Sequence, residues 1–176
     1  FLVVFFVRQL ILGGARSGKS KLAQEPAIDT ALPVMYIATA DAGDVEMEAR
    51  IALHKADRPA EWELREEAIE LPKLLSELSG KGSTVLVDCL TLWLTNLLLK
   101  DLTQMQSEMK HLVDVVNNFD GQLILVSNEV GWGIVPMGEL SRQFQDNTGR
   151  LHQDLAAIVE RVSLSVAGIA IEIKGE

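Results

Sequence analysis

Gly13-Gly14-Ala15-Arg16-Ser17-Gly18-Lys19-Ser20 decides the fold. The octapeptide fits G-x-x-x-x-G-K-[ST] at every fixed position, the pattern of a phosphate-binding loop. An apolar, strand-like run, Leu10-Ile11-Leu12, precedes it, and a helix-compatible run, Lys21-Leu22-Ala23-Gln24-Glu25, follows. Those flanks are the context the motif requires. The glycines let the backbone curl so that successive N–H groups point at one anion, and the helix adds the positive end of its dipole. Lys19 is expected to reach the β- and γ-phosphates, and the Ser20 hydroxyl to ligate a magnesium ion bridging the same oxygens. The competing reading is a Gly-rich turn with a solvated lysine.

On both sides of this loop, continuous apolar runs alternate with amphipathic stretches, as in a parallel sheet with crossover helices. Strands are predicted over 10–12, 34–38, 84–87, 123–127, 162–166 and 169–173, and helices over 19–29, 45–56, 71–78, 92–99, 104–118 and 139–160. Gly80-Lys81-Gly82 and Asp120-Gly121 mark helix-to-strand turns that call for positive φ. The expectation is a single α/β domain over 1–176, with residues 1–8 as an N-terminal extension and helices on both faces of a mostly parallel sheet.

Composition narrows the function. A chain of 176 residues, 48% hydrophobic and 23% charged, belongs with ordinary globular domains. A net charge of −9 argues against a nucleic-acid surface and for a small-molecule partner. The single cysteine, Cys89, excludes an intrachain disulfide and fits a reducing cytoplasm. Residues 1–7 are wholly apolar but stop at Arg8 and Gln9, well short of the ~20 residues of a membrane span. They read as a strand leading into Leu10, and the first residue being Phe places the expected initiator upstream.

Four constellations carry chemistry. Thr84-Val85-Leu86-Val87-Asp88 ends an interior strand on a carboxylate at the sheet's carboxyl edge, where Asp88 is placed to hold magnesium; its alternative role is a helix N-cap. His54 stands at the margin of an apolar helical face formed with Met47 and Ile51, close to Arg50, Lys55 and Arg58. A neutral imidazole there is a competent nucleophile toward phosphorus, and adjacent cations neutralise the phosphates it attacks. An ordinary, partly exposed helical histidine is the alternative. His111 and His152 have no comparable cationic setting. Ser127-Asn128-Glu129-Val130-Gly131-Trp132-Gly133-Ile134-Val135-Pro136 leaves a strand end as a Gly-rich loop, in which Glu129 is placed to orient water or a hydroxyl and Trp132 to cover a bulky ligand, unless the loop is purely structural. Arg142, Asp146, Gly149 and Arg150 share a predicted helix, as phosphate contacts or as a salt-bridged face.

Together with Tyr36-Ile37-Ala38-Thr39, Glu46-Met47…Arg50-Ile51…His54-Lys55…Arg58-Pro59, Asp88-Cys89-Leu90-Thr91-Leu92-Trp93…Asn96-Leu97-Leu98 and Arg142…Phe144…Asp146…Gly149-Arg150, these stretches carry a resemblance. The chain resembles the bifunctional adenosylcobinamide kinase/adenosylcobinamide-phosphate guanylyltransferase family of cobalamin assembly, from about Leu10 to Ile173. The resemblance implies two reactions. A nucleoside triphosphate, ATP or GTP, phosphorylates the aminopropanol hydroxyl of adenosylcobinamide. GTP then guanylylates the family's histidine, here His54, and the GMP passes to adenosylcobinamide phosphate, giving adenosylcobinamide-GDP.

By the same resemblance the GTP contacts fall on Gly13, Gly14, Ala15, Arg16, Ser17, Gly18, Lys19 and Ser20, on Ala38, Thr39 and Ala40, on Lys55, Ala56, Asp57 and Arg58, and on Glu66 and Asp88. A RecA-like phosphate-loop fold, a propeller-shaped homotrimer and a corrinoid seated between subunits are implied too. His152 and Ser127 depart from the family's usual asparagine and threonine, and are read as lying away from the core chemistry. A kinase of another small molecule and a non-catalytic nucleotide-binding switch are the rival functions; neither has a use for His54 among cations.

Overall fold

The computed structural model describes residues 6–40 and 59–175. Strand β1 (Arg8–Gly13) runs into the phosphate loop, from which helix α1 (Lys19–Asp29) departs. Then follow β2 (Val34–Ala38), β3 (Glu63–Glu66), α2 (Leu71–Leu78), β4 (Thr84–Asp88), α3 (Leu90–Lys100) and α4 (Leu102–Asn117). The chain ends with β5 (Gln122–Asn128), α5 (Glu139–Ile158), β6 (Arg161–Val166) and β7 (Ile169–Lys174).

The seven strands form one sheet in the order β3-β2-β4-β5-β1-β6-β7, parallel throughout except for the β6–β7 hairpin. Each strand sends alternate side chains to opposite faces, so two cores form. Leu10, Ile37, Val85, Val87, Leu123 and Leu125 meet α2, α3, α4 and α5 on one face. Ile11, Tyr36, Leu86, Ile124 and Val126 meet Ala23 and Ala27 of α1 on the other. Among the described residues, then, the layers are uneven: four helices on one side and one on the other. Two alanines on α1 let its backbone lie close to the sheet, which fixes where the phosphate loop ends.

Trp93 anchors the thicker layer. It is fully buried, and its indole N–H donates to the Ile69 carbonyl at 2.9 Å, satisfying its one polar atom.

The predicted elements agree with this architecture, and the differences that bear on the site are these. Strand β3 is absent from the prediction because all four of its residues are exposed and carry no apolar alternation. Strand β1 begins at Arg8, two residues before the predicted start. Just ahead of it the Val7 carbonyl accepts from the Leu123 N–H of β5 at 3.2 Å, while the Val7 N–H donates to the Gln122 side-chain oxygen at 2.9 Å. Residues 1–5 of the expected extension lie outside the described residues. Helix α3 begins two residues early, at Leu90, with Cys89 as its N-cap, so Asp88 is not spent as a cap. The helix expected over 45–56 lies outside the described residues. Gly80, Gly82 and Gly121 all take positive φ, as their turns require.

Candidate active site at the carboxyl edge of the sheet

The register gathers the strand ends. Ala38 lies opposite both Glu66 and Asp88, while Gly13 lies opposite Asn128 and Ser165. One edge of the sheet therefore carries the phosphate loop, the acid Asp88, the residues after β2 and the residues after β5. This is where open α/β sheets bind ligands.

Within the loop, Arg16 (φ 54°) and Gly18 (φ 93°) adopt left-handed backbone, the conformation that turns successive N–H groups to one side. Lys19, buried at the head of α1, donates from Nζ to the Gly14 carbonyl at 2.9 Å and clips the loop shut. Burial pulls the Lys19 pKa below its usual value, against the opposing pull of Cys89 and Asp88. The Ser17 carbonyl accepts two hydrogen bonds from the far side, from the Ser165 hydroxyl (2.7 Å) and the Gly168 N–H (2.7 Å). The Ser17 hydroxyl is buried with no hydrogen-bond partner among the described residues, a group left waiting for an acceptor or donor.

Asp88 faces this loop, and the Tyr36 hydroxyl donates to its Oδ2 at 2.8 Å. Beside it, Thr39 is wholly enclosed. Its hydroxyl donates to the Cys89 carbonyl (2.6 Å) and accepts from the Cys89 N–H (2.9 Å), and its own carbonyl accepts from Asn96 (2.8 Å). Thr39 thus stitches the ends of β2 and β4 together, and its polar atoms are taken up within the chain. Burial and the neighbouring Asp88 push the Cys89 thiol upward, which keeps it protonated and unreactive.

After β5, the Glu129 N–H donates to the Gly13 carbonyl at 2.9 Å, sealing the following loop onto the phosphate loop. Asn128 is held by Thr91 at 2.9 Å. The loop then exposes Trp132 (75%), Ile134 (96%) and Met137 (98%), and Arg142 on α5 donates to the carbonyls of Pro136 and Met137 to fix its far end. Asp146 and Arg150 lie exposed further along α5.

The edge brings together Gly13 to Ser20, Ala38, Thr39, Ala40, Glu66 and Asp88. His54, Lys55, Ala56, Asp57 and Arg58 lie outside the described residues, in the stretch that follows Ala40. His111 and His152 face carboxylates, Glu108 at 3.7 Å and Glu129 at 3.8 Å, rather than cations. Sequence reasoning missed Tyr36 as the partner of Asp88 and Ser165 as the brace of the phosphate loop. An isolated tyrosine or serine on a strand gives no signal of its own.

The donor set at Ser20 and Asp88, a hydroxyl and a carboxylate beside a phosphate cradle, fits a hard divalent cation such as magnesium.

Known proteins bear on this geometry directly. The family model for cobinamide kinase / cobinamide phosphate guanyltransferase matches residues 9–173. The chain belongs to this family. It is a bifunctional enzyme, a cobinamide kinase and a cobinamide phosphate guanylyltransferase. It is 53% identical to the bifunctional adenosylcobalamin biosynthesis protein CobP of Pseudomonas aeruginosa, over 97% of this chain and 99% of that protein. It is 40% identical to CobU of Salmonella typhimurium, over 94% and 98%, and 38% identical to CobU of Escherichia coli K12 over the same shares. Two solved structures share the fold at 12% identity: a Pyrococcus horikoshii OT3 protein from a structural study (TM-score 0.54, 97% of this chain and 88% of that one) and the P4 protein from bacteriophage phi13 (0.52, 94% and 53%). Together with the phosphate loop they place the cobinamide kinase/guanyltransferase chain in the single-domain phosphate-loop class. Among the described residues no helix is long and apolar enough to cross a membrane.

Proposed function

We propose that one nucleotide site serves two successive transfers to a corrinoid. In the first, ATP or GTP phosphorylates the aminopropanol hydroxyl of adenosylcobinamide. In the second, an imidazole nitrogen of His54 attacks the α-phosphorus of GTP. A P–N bond forms, the bond between the α- and β-phosphates breaks, and pyrophosphate leaves. The phosphate oxygen of adenosylcobinamide phosphate then displaces His54, giving adenosylcobinamide-GDP. A phosphoramidate keeps the transfer potential of the anhydride, so the last step runs without further energy input.

The observation that carries this reading is the phosphate loop closed by Lys19 onto Gly14, on the sheet edge shared with Asp88. Its N–H groups and Lys19 bind and orient the triphosphate, and the buried Ser17 hydroxyl gains a partner there. Ser20 and Asp88 would hold magnesium, which supplies charge neutralisation between phosphate oxygens. Ala38, Ala40 and Glu66 line the neighbouring strand ends, with Thr39 holding them in place, and Lys55, Ala56, Asp57 and Arg58 complete the GTP contacts beside His54. The corrinoid sits between subunits of a cytoplasmic homotrimer, against the exposed loop that carries Trp132 and Ile134.

The test is covalent labelling. With α-labelled GTP, the wild-type protein retains acid-labile, base-stable label on His54, and His54→Ala retains none while still phosphorylating adenosylcobinamide. Equal loss of both reactions in His54→Ala would make the histidine structural.

A further inference from the structure

We propose that Glu129 takes the proton from the corrinoid hydroxyl as it is phosphorylated, and that His152, seated on Ser127, is the residue that positions its carboxylate. The proposal rests on the kinase activity and adds to it the group that moves the proton.

Among the described residues, four carboxylates stand at or just past strand ends on the ligand-binding edge: Glu66, Glu67, Asp88 and Glu129. Glu67 is taken up by the turn before α2, accepting from the N–H groups of Ile69 and Glu70. Glu66 ends β3, at the far end of the sheet order from β1 and the phosphate loop. Asp88 is engaged by Tyr36 and lies in the field of Lys19, as suits a metal ligand. Glu129 follows β5, the immediate neighbour of β1, and its backbone N–H is fixed to Gly13 at 2.9 Å. Its backbone therefore stands beside the phosphate loop, at the point where the chain leads into the exposed apolar loop.

That carboxylate is oriented from two directions. The Gly131 N–H donates to Oε1 at 2.6 Å, and Oε2 lies 3.8 Å from Nδ1 of His152. The second spacing is longer than a hydrogen bond, yet short enough for a ring N–H to steer a charge. His152 is buried on α5, with its Nε2 at 2.7 Å from the fully buried Ser127 hydroxyl. When that hydroxyl donates to Nε2, the ring proton resides on Nδ1 and faces Glu129. Burial favours the neutral ring that this tautomer requires. The contact between Ser127 and His152 thus ends on Glu129.

The step balances without a further reactant. The hydroxyl oxygen bonds to the γ-phosphorus, the bond from that phosphorus to the β-phosphate oxygen breaks, and the nucleoside diphosphate leaves with the electron pair. The proton passes to the Glu129 carboxylate and on to solvent.

Two sets of variants test the pair, with phosphorylation of adenosylcobinamide from γ-labelled ATP as the readout and covalent GMP labelling as the check on the folded nucleotide site. Glu129→Gln lowers the kinase kcat about 100-fold or more, within the range of general-base catalysis, and still accepts covalent label. His152→Ala lowers kcat about 10-fold with the nucleotide KM unchanged. His152→Asn, whose amide reaches the Nδ1 position, restores kcat, whereas His152→Gln, whose amide reaches only toward Ser127, does not. A wild-type kcat in Glu129→Gln, or equal loss of labelling and kinase activity, overturns the role of Glu129. Rescue by Gln and not Asn overturns the role of His152. Wild-type protein that takes label but phosphorylates no corrinoid contradicts the kinase reading and takes this proposal with it. Phosphorylation without label contradicts only the assignment of His54, and kcat in Glu129→Gln then decides the proposal with nucleotide affinity as the control.

Discussion

The hydroxyl of Ser165 donates to the carbonyl of Ser17 at 2.7 Å, joining two residues 148 positions apart in the chain. The Gly168 N–H fills the second lone pair of the same carbonyl, also at 2.7 Å. The hairpin between β6 and β7 turns through Ala167 and Gly168, both at positive φ, and that turn aims the N–H at the loop. Held twice through this carbonyl, the Ser17 backbone keeps the loop in the shape that the proposed phosphate contacts require. Ser165→Ala is expected to weaken nucleotide binding about fivefold, equivalent to about 1 kcal/mol, as measured by titration of the magnesium-free triphosphate. Unchanged affinity would make the brace incidental.

Gly18 extends the same argument to sterics. A Cβ at this position would come within 2.9 Å of the Gly168 Cα, and the residue already holds φ 93°. Gly18→Ala is expected to abolish nucleotide binding while leaving the rest of the sheet folded, with binding followed by titration and folding by circular dichroism. Retained binding would contradict the packing of hairpin against loop.

Lys19→Ala is expected to lower both the kinase and the guanylyl-transfer rates by 100-fold or more, because both transition states place charge on the same phosphate oxygens. Separate single-turnover assays check this. Guanylyl transfer at the wild-type rate would show that the two reactions do not share the loop.

His152 gives the fold a pH dependence with a defined direction. Burial lowers its pKa from 6.5, and Glu129 opposes that shift without reversing it. The neutral ring belongs to the folded state, so the unfolded chain takes up a proton first as the pH falls. Stability contributed by the neutral ring is therefore full above pH 6.5, declines as the pH drops below that value, and levels off beneath the lowered folded-state pKa. Denaturation midpoints across that window should show a slope that His152→Asn removes.

Two of the three tryptophans separate stability from substrate contact. Trp93→Ala, which empties a fully buried site and leaves the Ile69 carbonyl without its donor, should cost about 3–5 kcal/mol by chemical denaturation. Trp132→Ala should leave the denaturation midpoint unchanged, because the side chain is 75% exposed, and raise the KM for the corrinoid. A normal KM would remove the apolar loop from the substrate site.

Much of this molecule is legible in its sequence, for identifiable reasons. Strands such as β4 are buried on both faces and read as unbroken apolar runs, and Gly13 to Ser20 has a pattern fixed by the geometry of a bound phosphate. Strand β3 escapes because an exposed edge strand pairs through its backbone, which leaves no apolar pattern on Glu63-Leu64-Arg65-Glu66. The supporting contacts escape for a different reason. Tyr36 to Asp88, Ser165 to Ser17 and His152 to Ser127 join residues far apart in the chain, and only the sheet register brings them together. His152 is instructive: its sequence neighbours offer it no role, while its neighbours in space make it part of the Glu129 environment.

The central claim is that this chain carries GMP covalently on His54. Incubating the purified protein with α-labelled GTP and magnesium, denaturing it and mapping retained label by peptide mass tests that claim most directly. The account predicts acid-labile, base-stable label on His54, discharged when adenosylcobinamide phosphate is added. A folded protein that binds GTP and retains no label, or carries it on another residue, would contradict it.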